Sequence, residues 1–234
     1  MRSFVALSLA LIACAACSER SGGSRRRDAI DSEVKEFAAI FQNYLDAVSA
    51  RNGAAAVALV GGTTSASYER LRWMSLHASR AQLEAAPILD RVRVLGIRAT
   101  FDADRLAGMT GEMLFAASID AGLTDVESMA GSRITDVWID GDRASGVYVS
   151  ATHGRGPRFG FTRENGVWKL DLESMMKTAE ILYAAMIQRT ARDLDVSESR
   201  LLEVMVAESV GRELYDSAWE PLLVSPAASS GGPR

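Results

Sequence analysis

Two hydrophobic periods divide this chain. Between residues 134 and 172 the apolar positions recur every second residue: Phe159 and Phe161 share one side against Arg158, Gly160 and Thr162, and Trp168, Leu170 and Leu172 oppose Lys169 and Asp171. Alternation of that kind belongs to strands with one buried and one wetter face. It predicts an antiparallel meander over 134–139, 144–152, 158–163 and 167–172. Asp140-Gly141-Asp142 and Asn165-Gly166 supply its tight turns, since Asp-Gly and Asn-Gly tolerate the positive φ that such hairpins need. The stretch 153–156 is expected as a loop.

Elsewhere the period is three to four. Ile30, Val34, Phe37, Phe41, Tyr44, Leu45 and Val48 predict a long amphipathic helix over 31–51, closed by Asn52-Gly53. Shorter helices are expected at 54–60 and 65–78, the latter with Tyr68, Leu71 and Met74 as its apolar stripe. Ser79 with Gln82 forms a capping-box pattern, and Pro87 opens a helix carrying Ile88, Leu89, Val92 and Leu95. Asp102 and Thr110 are N-cap candidates for two more helices, the second ending at Gly122. After the meander, Ser174 is expected to cap a helix over 175–192. Asp195 with Glu198 is expected to start another, carrying Leu201, Leu202, Met205 and Val206 as far as Gly211. The segment 219–223 is expected to pack back on the body. The fold class expected is therefore α+β, with N-terminal helices packed on a curved, cone-like antiparallel sheet and C-terminal helices following.

Composition narrows the setting. The 234 residues are 48% hydrophobic, enough for a sizeable core, and a net charge of -4 gives no basic field, so no nucleic-acid partner is expected. Arg2 precedes a short apolar run at 4–13, of the length of an export leader and too short to span a bilayer. That run ends in Leu11-Ile12-Ala13-Cys14, which resembles the lipobox of bacterial lipoproteins. The resemblance implies cleavage before Cys14 and acylation of that residue, anchoring the chain to a membrane. An ordinary leader with an incidental cysteine is the alternative, and Cys17 is a competing site with a poorer upstream residue. Both cysteines lie here, so the rest of the chain offers neither disulfide nor thiolate. The same resemblance implies, from Ala15 in place of an aspartate, the outer membrane, facing the periplasm. Residues 18–27 read as a flexible Gly/Ser/Arg tether, and 224–234 as a loose tail.

The order of elements, with Phe41-Gln-Asn-Tyr-Leu-Asp-Ala-Val48 in the first helix and Asn165-Gly-Val-Trp-Lys-Leu170 in the last strand, resembles the nuclear transport factor 2-like superfamily over 28–174. The helices of 175–223 are then an extension. The resemblance implies a sheet wrapped around the first helix to leave a pocket. One member, ketosteroid isomerase, places an oxyanion-hole tyrosine where this chain has Tyr44. Its two carboxyl groups have no counterpart here: residues 60–65 contain no acid, and the mid-sheet positions hold Gly146, Tyr148 and Ser150. Catalysis through Tyr44 in an isomerase or dehydratase stays open as an alternative to a buried core tyrosine. No catalytic residue is assigned.

Other chemistry is thinly represented. His77 and His153 have no metal-ligand spacing, so no metal or cofactor is expected. The loop with Arg155 could hold an anion or be a plain hairpin loop. Tyr44, Trp73, Tyr148, Phe159, Phe161 and Trp168 form a candidate pocket lining for an apolar ligand, and core packing explains them equally well. The reading carried forward is a membrane-anchored, non-catalytic protein binding an apolar small molecule or an envelope protein. A homodimer through an open sheet face and an assembly role for the C-terminal helices remain alternatives.

Overall fold

A computed structural model describes residues 27–124, 129–151 and 154–223. The leader, Cys14, Cys17, nearly all of the tether, His153 and the tail fall outside those residues. Strands β2 (Arg133–Asp140), β3 (Arg143–Ser150), β4 (Gly154–Glu164) and β5 (Val167–Asp171) follow one another in antiparallel register. The turn at Asn165-Gly166 has the expected positive φ at both positions, 51° and 81°. A two-residue strand β1 (Arg27–Asp28) pairs with Ile139 and Trp138 at the edge of β2, where the sequence reading had placed the end of a tether.

Register breaks bend this open sheet. One lies between Thr135 and Trp138, with Asp136 at φ 46°, and another between Val147 and Val149. An extra residue on one strand turns and twists it locally. At the first break, Ile134, Val137 and Ile139 all reach the core despite their uneven spacing. The expected loop at 153–156 is strand from Gly154 onward, paired through Arg155 to Val149. Gly156 permits this, because a Cβ there would stand 2.7 Å from the Tyr148 ring.

Helix α1 (Asp31–Ser49) packs on β2 and β5 through a ladder of aromatic rings. Phe37 meets Phe161 at 4.7 Å and Trp168 at 5.1 Å, and one turn later Phe41 meets Phe159 at 5.1 Å and Tyr148 at 6.1 Å. These rings form a first core with Val48, Val60, Ile134 and Leu170.

Helices α2 (Gly53–Leu59), α3 (Gly62–His77), α4 (Arg80–Glu84), α5 (Ile88–Thr100), α6 (Ala103–Ala107) and α7 (Gly111–Asp120) precede the meander. Helices α8 (Leu172–Asp193) and α9 (Glu198–Val210) follow it, with a short 3₁₀ turn at Asp216–Trp219. Leu71, Leu83, Leu95, Leu106, Leu114, Ile187, Leu202 and Trp219 make a second, all-helical core. The protein is thus α+β, with N-terminal helices on a curved antiparallel sheet and helices closing the C-terminal side.

Two helix starts differ from expectation. Asp171, not Ser174, caps α8, its carboxylate accepting from the Ser174 N–H, and Ser197 rather than Asp195 caps α9. The expected boundary at 174 therefore falls inside α8. In α3 the expected stripe packs inward, with Leu71 buried and Tyr68 and Met74 partly buried against the cores, and the small residues Thr64, Ser67 and Ser75 are buried beside it. The reason is a close crossing with α7, where a Cβ on Gly111 would lie 2.2 Å from the Ser65 carbonyl oxygen. Only small side chains fit such an approach.

Candidate functional site: a cavity between the two cores

A cavity of about 440 Å³ opens where the sheet-side core meets the helical core. Tyr44 of α1 and Phe115 of α7 reach it from within. Tyr148 and Phe159 of the sheet, Leu89 and Val92 of α5, and Met205 and Val206 of α9 form much of its walls. Met175, Met176 and Ala179 recur along one face of α8 and line it beside Met129. Methionine is unbranched and polarisable, so such a wall can change its shape at little cost.

Of the six aromatic candidates, three line this cavity: Tyr44, Tyr148 and Phe159. Phe161 and Trp168 do not; they stack on Phe37, one turn back along α1, and belong to the closed part of the core. Trp73 is a correction. It is 52% exposed on the outside of α3, beside the His77 ring, because the face that α3 turns inward carries Leu71 and the small residues beside it.

The polar part of the lining is narrow. Thr64 and Ser67 are buried, and their hydroxyl oxygens have no hydrogen-bond partner. Tyr44 is 5% exposed, and no described residue bonds its hydroxyl. Burial first, and then the neighbouring Tyr68, hold the Tyr44 phenol well above its ordinary value of 10.0, while Arg93 acts in the opposite sense. Burial also pushes Tyr183, on the α8 wall, up to about 12. Tyr148 differs, since its hydroxyl lies 2.8 Å from Ser132 Oγ and is hydrogen-bonded.

Arg93 is the cation of this site. It lines the main cavity and a smaller one of about 80 Å³ that shares Tyr68, Val92, Leu123, Val206 and Ser209 with it. Arg93 makes no ion pair or hydrogen bond with any described residue. Among the described residues two carboxylates border the cavity: Glu173, whose field falls on Arg70, and Glu208, which is exposed. Neither is hydrogen-bonded to Tyr44. Among the described residues no group of three metal-ligating side chains occurs, and no helix is long and apolar enough to cross a membrane.

No family model, curated protein or solved structure matches the chain.

Sequence reasoning reached the aromatic side of this site and missed Thr64, Ser67, Tyr68 as a cavity residue, Arg93 and Tyr183. The available signal was a charge flanking an apolar stripe, Arg93 directly after Val92 and four residues after Leu89. That signal is weak, because long basic side chains commonly lie along helix flanks with the charge in water.

Proposed function

We propose that this protein is a lipoprotein, anchored through acylated Cys14 to the outer membrane and facing the periplasm, whose α+β body carries an apolar small molecule without transforming it. The nuclear transport factor 2-like superfamily is proposed as its family, on the motifs in α1 and β5. The single observation that supports carriage most is the cavity of about 440 Å³, of a size typical for small ligands and walled by methionine, leucine, valine and aromatic groups.

Native mass spectrometry of the full chain carrying Cys14→Ser tests the carriage. A reproducible extra mass that disappears on denaturation is expected, and a bare mass after exposure to a lipid extract would overturn the reading. Membrane fractionation tests the anchor. Cys14→Ala should leave processed protein in the soluble fraction, and continued membrane association of such protein would exclude Cys14 as the anchor.

One observation favours a second reading. Ile181 at 72% exposure and Leu194 at 61% are apolar side chains standing in solvent on and just after α8. An assembly role for the C-terminal helices would use them, and Ile181→Asp should then abolish complexes recovered by crosslinking while leaving the fold intact.

A further inference from the structure

Resting on the carrier reading, we propose that the ligand is a single-chain amphiphile with an anionic carboxylate head, seated with that head against Arg93 and its hydrocarbon chain along the methionine wall of α8. Three independent observations converge on this class. The first is the lining, where Met175, Met176 and Ala179 of α8 and Met205 and Val206 of α9 present an apolar stretch beside Glu173, Glu208 and Ser209, and would gain little from a uniformly polar ligand. Burial of hydrocarbon is favourable for every methylene removed from water, so a chain lying there supplies most of the affinity.

The second is the placement of polar groups. Thr64 and Ser67 on α3 are buried hydroxyls without partners, and Ser118, lining the smaller cavity beside Arg93, is a third. A buried hydroxyl left unbonded has lost its water without gaining a partner, which is destabilising. Such groups on the wall of a cavity are accounted for when an occupant supplies acceptors. A carboxylate is acceptor-only and can receive several donors at once.

The third is Arg93 itself. Among the described residues this half-buried guanidinium has no ion-pair or hydrogen-bond partner, and its planar fork complements a carboxylate through two parallel N–H donors. A cationic or purely hydrocarbon ligand would leave the guanidinium unmatched. Glu208 is exposed and Glu173 acts on Arg70, so neither replaces the missing partner.

The test is a calorimetric titration of the full chain carrying Cys14→Ser with dodecanoate and with dodecanol, which share a chain and differ in the head. Dodecanoate is expected to bind at least tenfold more tightly. Arg93→Gln should remove that preference, bringing dodecanoate affinity down toward that of dodecanol, and Arg93→Lys should retain most of it. Equal affinity for the two compounds, unaffected by Arg93→Gln, would overturn the anionic-head assignment and leave the carrier reading in place. Failure of both compounds to bind a chain with an unaltered melting transition would overturn the two together.

Discussion

Individual side chains carry loads here that their positions in the sequence do not advertise. Arg98 is 6% exposed and donates to four backbone carbonyls: Nε to Ser75, Nη1 to Ala218, and Nη2 to Met74 and Ala78. Three of these acceptors are in the last turn of α3 or at its C-cap, where the helix dipole is negative. Burial lowers the pKa of Arg98 to about 10, which still leaves it charged at neutral pH. Arg98→Met should therefore cost about 3 kcal/mol of unfolding free energy in urea, since buried acceptors lose their donors together. Tyr44 makes a different prediction. Its folded-state pKa lies above the unfolded value of 10.0, so the unfolded chain releases that proton first as pH rises. The contribution is complete below pH 10 and is lost as pH climbs above it. The wild-type chain should lose stability above that pH more steeply than Tyr44→Phe, measured by denaturant midpoints across the alkaline range.

At the scale of elements, several helices depend on side chains from far away in the sequence. The N-cap of α5 is Pro87, which has no side-chain acceptor, and Glu180 of α8 accepts from the Ile88 N–H at 2.7 Å and the Leu89 N–H at 3.0 Å. Glu164 accepts from Gly62 at the start of α3, and Asp120 from Gly53 at the start of α2. Glu180→Ala should destabilise the protein by about 1–2 kcal/mol, as lost caps generally do, whereas Glu84→Ala on an exposed helix pair should change little. Helix α2 packs against α7 so closely that a Cβ on Gly53 would lie 2.2 Å from the Ala116 oxygen. Gly53→Ala should cost at least about 2 kcal/mol through forced separation of the two helices. Local caps such as Ser79, Asp102 and Thr110 were legible in the sequence because donor and acceptor lie three residues apart. The remote caps were not legible, and neither was the burial of the small residues of α3, which resemble an exposed face until the partner helix is known. The same applies to the site: the aromatic ladder Phe37, Phe41, Tyr44 announced itself by period, while Arg93 acquires meaning only from what α5 faces.

For the whole molecule, the two cores are joined by α8, whose first turn packs at the sheet and whose later turns enter the helical core through Ile187 and Ala191. The 3₁₀ turn closes the far side. Trp219 is fully buried and bonds Glu203 at 2.9 Å, and Leu222 and Leu223 donate to Ser75 and Leu76. Truncation from residue 201 removes Leu202, Met205, Val206 and Trp219 from that core. It should abolish cooperative unfolding of the helical half and with it the α9 wall of the cavity, seen as loss of a sharp melting transition. The remote caps also impose an order in time. Glu164 follows the amide it caps by 102 residues, and Glu180 follows its own by 92 and 91. A chain emerging from its N-terminus therefore presents α3 and α5 with unsatisfied first turns until β4 and α8 have appeared. Closing such long loops is slow compared with forming a helix, so the first half of the protein completes its structure only when the second half arrives, and a nascent chain stalled before residue 164 holds α3 and α5 by their packing on each other and on α7 alone, with their first turns uncapped.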